Sequence, residues 1–171
     1  AKCDYLITNT IELKQYVTSL GWDRKRVEFI PNFVLENADN KIKLGTDSQN
    51  TILCMGRFHE NKAMDIVIKA MSFLPNLNLL IVGTGKLKAS YKDVIDKYHL
   101  GDRVKIYNWS NNISQYLNSC SILVCPSRHE PFGNVIIDGW AHKIPVVVSN
   151  IGGPKKLIKH KINGLKFETD N

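Results

Sequence analysis

The chain has 171 residues, of which 43% are hydrophobic and 23% are charged, and its formal net charge is +7 at pH 7. A chain of this length is able to form a single hydrophobic core, and the composition is typical of a soluble globular protein. No apolar run approaches bilayer length and the N-terminus lacks the shape of a signal peptide, so we expect a cytoplasmic protein.

The excess of basic residues has three candidate partners, which are nucleic acid, an anionic membrane and an anionic substrate. No basic run alternates with aromatic residues, as a single-strand binder requires, so we expect no nucleic-acid partner. The charge is interpreted mainly as a solvated surface, with nucleotide phosphates or acidic lipids as lesser contributors. One local cluster stands out, formed by Lys155, Lys156, Lys159, Lys161 and Lys166.

The first 35 residues predict a strand, a helix and a second strand. Asp4–Thr8 is the first strand candidate, a capping-box pattern at Asn9–Glu12 opens a helix that Gly21 ends, and Val27–Ile30 is the second strand. Residues 36–50 are polar and rich in turn-forming residues, which predicts a mobile linker and an internal boundary.

From Thr51 onward, apolar strand-like runs alternate with helical patterns, which predicts a doubly wound, Rossmann-like α/β domain with a parallel sheet covered on both faces. Cys54 and Cys125 end two of these runs and are predicted to be buried free thiols. The predicted strands are Thr51–Met55, Leu79–Val82, Val104–Tyr107, Ser121–Cys125, Pro145–Ser149 and Gly164–Phe167. The predicted helices are Lys62–Phe73, Lys86–His99, Ile113–Asn118, Asn134–Ala141 and Lys155–His160.

The stretch from Cys125 to Asp138 runs from a strand through a polar loop into a helix. Free N–H groups and the positive end of the helix dipole meet at such a point, which suits a phosphate. Asn134 and Asp138 share a helix face about 6 Å apart along the axis, so a bound diphosphate would place its ribose beside Asp138 and its sugar beside Glu130. The alternative is that Glu130 is a solvated loop acid and that Asp138 only decorates the helix.

The segment Gly56–Lys62 follows the first strand of the alternating series. Its Arg57 and Lys62 are able to hold two phosphates, and the alternative is a pair of solvated cations. The end of the strand favours the phosphate interpretation because the same sheet edge carries the helix start. The Gly83–Gly85 turn and the Gly152–Gly153 pair are weak signals that also occur in ordinary turns. The histidines lack metal-ligand spacing, so no metal site is predicted.

These motifs resemble the family-4 retaining glycosyltransferases of the GT-B fold. The family carries a Glu–seven residues–Glu motif in a Pro-Ser…Glu…Phe-Gly frame, and this chain has Glu130, seven residues and then Asp138. The segment with Arg57 and Lys62 is similar to the family's Gly-Arg…Lys-Gly motif, with Ala63 in place of the last glycine. Phe33 replaces glycine in a segment similar to the family's Pro-Asn-Gly-Val hinge.

The resemblance implies a hexosyltransferase-type enzyme that moves a sugar from a UDP- or GDP-sugar to an acceptor hydroxyl with retention and without a tightly held cofactor or metal. Arg57 and Lys62 would neutralise the leaving diphosphate, Glu130 would hold sugar hydroxyls and Asp138 would hold the ribose. The remaining donor-binding residues would be Gly56, Phe132, Gly133, Asn134 and Val135.

By the same resemblance, residues 1–35 are expected to be the end of an N-terminal GT-B domain with its hinge, and residues 51–171 a donor-binding domain that is incomplete at its C-terminus. We expect this fragment to bind donor but to be inactive alone, because the preceding domain would hold the acceptor, a glycan or lipid. Lipopolysaccharide synthesis at the inner face of the plasma membrane, with peripheral association, is one expected setting. Two alternatives stay open, a GT-B nucleotide-sugar epimerase and a non-enzymatic nucleotide-binding module.

Overall fold

The computed structural model describes residues 3–34 and 48–169. The chain divides into two compact units, Ala1–Leu35 and Glu36–Asn171. Most of the predicted linker at residues 36–50 lies outside the described residues, and its last three residues, Ser48–Asn50, form a 3₁₀ turn. None of the helices in the described ranges is long and apolar enough to cross a bilayer.

The first unit is a strand–helix–strand unit, as predicted. Strands β1 (Leu6–Thr8) and β2 (Val27–Phe29) pair in parallel, and helix α1 (Ile11–Ser19) connects them. The helix is capped by Thr10, whose hydroxyl accepts the Leu13 N–H at 3.1 Å. The cap therefore lies one residue after the Asn9 that opened the predicted capping box.

The second unit contains a six-stranded, all-parallel sheet with strand order β5-β4-β3-β6-β7-β8. Helices connect successive strands, which confirms the doubly wound α/β prediction. The strands are β3 (Thr51–Met55), β4 (Asn78–Val82), β5 (Val104–Tyr107), β6 (Ile122–Cys125), β7 (Val146–Ser149) and β8 (Leu165–Phe167). The helices are α2 (Met64–Ala70), α3 (Lys88–Lys97), α4 (Ser114–Leu117), α5 (Asn134–Ala141) and α6 (Gly152–Leu157).

Strand β3 lies at the centre of the sheet, and all five of its residues are buried. Ile52 and Cys54 face the core that contains α2 and α3, whereas Leu53 and Met55 face the core that contains α4 and α5. Successive side chains of a strand point to opposite faces, so a continuous apolar run is what a strand covered on both faces requires. Cys54 and Cys125 are buried free thiols, as predicted.

Of the five helices predicted after Thr51, only Asn134–Ala141 has its predicted bounds, and two of the other differences have a local cause. The predicted helix Lys155–His160 instead spans Gly152–Leu157, because Pro154 fits the first turn of a helix, where no N–H is needed, and Ile158 is already extended. The predicted helix Lys62–Phe73 is shortened to α2, because Ala63 has φ 48° and ψ 33° and this left-handed residue separates the preceding 3₁₀ turn from the helix. A left-handed conformation costs an alanine about 1 kcal/mol, so Ala63 lowers the stability of the fold relative to the glycine of the similar family motif.

The order of the strands identifies where a ligand site is expected. The chain builds outward from β3 to β5 in one direction, and from β6 to β8 in the other. The crevice at the carboxyl ends of β3 and β6 is the switch point of the sheet, the usual ligand position in open α/β folds. The segment with Arg57 and Lys62 follows β3, and the loop with Glu130 follows β6.

Candidate functional site

A cleft of about 840 Å³ opens at the carboxyl edge of the sheet. Its walls come from the loops that follow β3, β4, β5 and β6 and from the first turn of α5. It is lined by Gly56, Arg57, His59, Asn61, Lys62, Thr84, Trp109, His129, Glu130, Pro131, Asn134 and Val135.

The Lys62 ammonium group and the Glu130 carboxylate form an ion pair across this cleft. The side chain of Lys62 is 27% exposed and that of Glu130 is 11% exposed, so the pair is screened only in part by solvent. The pair brings the loop after β3 to the loop after β6. One of the two predicted phosphate-binding cations is thus already held in place by the acid predicted to bind sugar.

Hydrogen bonds along the backbone join the same two loops. The Asn61 carbonyl accepts the N–H groups of Arg128 at 2.8 Å and His129 at 3.3 Å. The Arg128 guanidinium donates to the Glu60 carbonyl at 3.1 Å and lies 3.6 Å from the Asp65 carboxylate. Hydrogen bonds therefore hold the two loops of the cleft wall together without a ligand, which lowers the entropic cost of binding.

Two glycine positions let further loops pack against this wall. A side chain at Gly153 would put its Cβ 2.2 Å from the Phe132 carbonyl oxygen, and the Gly153 N–H donates to the Glu130 carbonyl at 2.9 Å. A Cβ at Gly85 would lie 2.4 Å from the Phe58 carbonyl oxygen. Gly85 and Gly153, which were weak signals in the sequence, therefore allow close approaches between backbone segments that shape the site.

Of the nine predicted site residues, six line the cleft together, namely Gly56, Arg57, Lys62, Glu130, Asn134 and Val135. Arg57 is exposed at the mouth, and no ion pair of Arg57 with another described residue is found. Arg57 and the start of α5 together provide a cationic side chain and the positive end of a helix dipole, both of which favour an anion.

The other three predicted residues lie around the cleft and do not line it. Phe132 is 9% exposed, and Gly133 at the N-cap of α5 has φ 103°, a conformation that favours glycine. Asp138 lies one turn further along α5 and is partly buried. Burial raises the pKa of the Asp138 carboxyl group, and nearby His142 opposes this shift.

Several residues that line the cleft were not predicted as site residues. Trp109 is 48% exposed on the loop after β5, Thr84 lies in the turn after β4, and Asn61 joins the loops described above. The signal that could have identified Trp109 and Thr84 is their position directly after predicted strands. Within residues 3–34 and 48–169, no group of three His, Cys, Asp or Glu side chains is placed to hold a metal ion.

The family model for glycosyl transferases group 1 matches residues 36–171. The lipopolysaccharide core biosynthesis glycosyltransferase LpsE of Rhizobium meliloti is 31% identical over 169 residues, which cover 96% of this chain and 49% of that protein. LpsD of the same organism is 30% identical and is covered to 48% of its length. The chain spans about half the length of the curated relatives it matches.

Solved structures show the same relationship at the level of the fold. The structure of Anabaena Alr3699/HepE in complex with UDP and glucose matches with a TM-score of 0.84 and 22% identity, over 98% of this chain and 50% of that one. A mutant of S. aureus TarM in complex with fondaparinux, α-GlcNAc-glycerol and UDP matches with a TM-score of 0.82 and 22% identity, over 98% of this chain and 34% of that one.

Proposed function

Because the chain belongs to the group 1 glycosyl transferases and has the fold of one half of a GT-B enzyme, we propose that its cleft binds a nucleoside diphosphate sugar as glycosyl donor. The observation that carries the proposal is the meeting of Arg57, Lys62 and the first turn of α5 at the switch point of the sheet. The related HepE structures were solved with UDP and with UDP-glucose, which supports a uridine donor.

The diphosphate lies between Arg57 and the N–H groups at the start of α5. Arg57 offers a planar fork of donors and is exposed, so it reaches a phosphate without breaking an existing ion pair. Lys62 exchanges part of its interaction with Glu130 for the phosphate oxygens. Glu130 is then available to accept hydrogen bonds from the sugar hydroxyls on the same side of the cleft.

The nucleoside extends from the diphosphate toward the loops after β4 and β5. Trp109 presents an exposed indole in this part of the cleft, and a base stacks on such a surface with useful free energy. Asp138 accepts a hydrogen bond from the ribose after a small movement of α5 or of its own side chain. The donor is thus held at both ends, which orients its anomeric carbon.

In the complete protein the sugar passes to an acceptor hydroxyl with retention at the anomeric carbon. The bond between this carbon and the diphosphate oxygen breaks, a bond to the acceptor oxygen forms, and the hydroxyl proton passes to the leaving diphosphate. Arg57 and Lys62 stabilise the negative charge that develops on this diphosphate. Such preorganised charge is typically worth several kcal/mol of barrier. The acceptor, a glycan or lipid of the cell envelope as the names of the relatives suggest, binds mainly to another part of the complete protein.

The proposal is tested by calorimetric titration of the chain with UDP, GDP, ADP and UDP-glucose. We expect one nucleotide to bind, and Arg57→Ala to weaken it by roughly tenfold or more, as the loss of a charge-assisted bidentate contact predicts. Lys92→Ala removes one exposed charge on α3, away from the cleft, and is the matched control. Equal affinities of the wild type and Arg57→Ala, or no binding at millimolar concentration, would contradict the proposal.

A further inference from the structure

A second charged surface lies outside the cleft, in the last part of the chain. Residues 139–167 contain six lysines and no aspartate or glutamate, whereas the whole chain has 23 basic and 16 acidic residues. We define the basic surface as these six lysines, Lys143, Lys155, Lys156, Lys159, Lys161 and Lys166. None of the basic surface residues lines the cleft.

The turn between α6 and β8 forms the centre of the basic surface. The turn leads into the amino end of β8. The cleft lies at the carboxyl ends of the parallel strands, so the turn lies at the opposite edge of the sheet. The Asn163 side chain holds the turn through the Lys159 N–H at 2.7 Å and the Leu157 carbonyl at 3.1 Å. Trp140 donates its indole N–H to the Asn163 carbonyl at 3.0 Å, which brings the turn to the end of α5, three residues before Lys143.

An exposed apolar tip stands among these lysines. Ile162 is 80% exposed at the tip of the turn, between Lys161 and Asn163, and Leu165 at the start of β8 is 46% exposed. The hydrogen bonds of Asn163 fix the turn, so Ile162 is presented to the outside by a defined structure. Aliphatic side chains surrounded by lysines fit the boundary between lipid headgroups and acyl chains.

The chemistry of the basic surface separates two classes of anionic partner. Residues 139–167 contain no arginine, and their Trp140 and Phe167 are only partly exposed, so this segment has few of the groups that read or stack on nucleic-acid bases. Lysine supplies point charges that interact with phosphate headgroups. Its aliphatic stem packs against apolar surface at the membrane interface while the ammonium group stays in water.

We propose that the basic surface docks the chain onto a bilayer that contains anionic phospholipids. Ile162 inserts at the headgroup boundary, and the lysines lie at the level of the phosphates. The docked chain keeps its cleft open to water, because the cleft belongs to the opposite edge of the sheet. This inference is independent of the nucleotide-binding proposal.

The test is co-sedimentation of the full chain with two kinds of vesicle. One contains phosphatidylcholine alone, and the other also contains about one third phosphatidylglycerol, an anionic phospholipid. We expect binding to the anionic vesicles only. Each lysine near an anionic surface contributes roughly fivefold to partitioning, so K159E/K161E is expected to lower it by roughly 30-fold or more. The control K92E/K97E makes the same charge change on exposed lysines of α3 and is expected to retain most of the binding.

A second variant separates membrane insertion from charge alone. Ile162→Ser leaves the charge unchanged and is expected to lower partitioning severalfold, with an unchanged thermal unfolding midpoint. Equal binding by K159E/K161E and K92E/K97E would overturn the proposal. A second result would also overturn it. The chain would bind a random single-stranded oligonucleotide more tightly than the vesicles, and K159E/K161E would abolish the binding to the oligonucleotide.

Discussion

The ammonium group of Lys62 and the carboxylate of Glu130 are paired although the two residues are 68 positions apart in the chain. The pair closes the wall of the cleft at the point where the two arms of the sheet separate. The cation that we propose binds a phosphate and the acid that we propose binds a sugar thus hold each other in place in the described structure. The charge of one residue therefore controls the availability of the other.

This relationship predicts opposite effects of two conservative substitutions on nucleotide affinity. Lys62→Gln is expected to weaken UDP binding roughly tenfold or more, because the phosphate loses a cation. Glu130→Gln is expected to leave UDP affinity unchanged or higher, because Lys62 is released. The affinity of a UDP-sugar should not rise in parallel. Calorimetric titration of both variants with UDP and UDP-glucose measures this difference.

The same two variants check the structural role of the pair. Each is expected to lower the free energy of unfolding by roughly 1–2 kcal/mol, because the pair is only partly exposed and removal of either partner leaves the other charge without compensation. Urea unfolding of both single variants and of the double variant gives the coupling energy. A coupling energy near zero would show that the ion pair does not form in solution.

The close contact at Gly153 predicts that the packing of the first turn of α6 against the loop after β6 is essential for the site. Gly153→Ala forces its methyl group into the Phe132 carbonyl, and we expect roughly 1–3 kcal/mol of destabilisation and weaker nucleotide binding. Gly101→Ala is the matched control, since a Cβ at Gly101 meets nothing within 4 Å. That variant should change the free energy of unfolding by less than about 0.5 kcal/mol. Equal stability of the two variants would contradict the described packing.

The sheet could be predicted from sequence because its strands are short continuous apolar runs. Thr51–Met55 was predicted with the bounds that the structure shows, and burial on both faces explains why. The start of α6 was missed because Gly152, Gly153 and Pro154 are typical turn residues. Pro154 suits the first turn of a helix, but the close packing of Gly153 against Phe132 joins two segments that no local pattern connects.

The site was predictable only in its local parts. Position after a strand identified Arg57, Lys62 and Glu130 as neighbours of one sheet edge. The ion pair of Lys62 with Glu130 and the bonds from Asn61 to Arg128 and His129 join segments that are far apart in sequence, so they depend on the assembled fold. The same applies to Asp138, whose partial burial is a property of the packed helix.

The raised pKa of Asp138 predicts a pH-dependent effect on stability. A carboxyl group whose pKa is higher in the folded state destabilises the fold as the pH rises from about 3.9, the ordinary value, through the folded-state pKa. Asp138→Asn should therefore raise the free energy of unfolding at pH 7, and this gain should disappear below about pH 4. Urea unfolding between pH 4 and 7 measures the trend, with exposed Asp93→Asn on α3 as control. A gain that is constant with pH would exclude the carboxylate as its cause.

The cysteines are predicted to differ sharply in reactivity. Burial raises the pKa of Cys54 and Cys125, and it raises the pKa of Cys120 to about 12, so these thiols are both hidden and protonated. Cys3 is exposed. Ellman's reagent at pH 8 should therefore release one equivalent rapidly from the native chain and four after unfolding in guanidinium, since the sequence contains four cysteines. Two or more rapid equivalents in the native state would contradict the buried placement.

An NMR titration of the isotope-labelled 19.4 kDa chain with UDP and a UDP-sugar tests directly whether the cleft is the donor site. Amide resonances report where a ligand binds without any substitution. We expect the largest shifts at Gly56, Arg57, Asn134 and Val135, and a shift of the Trp109 indole N–H as well. Shifts concentrated outside the cleft, or none at millimolar nucleotide, would contradict the assignment of the cleft as the donor site.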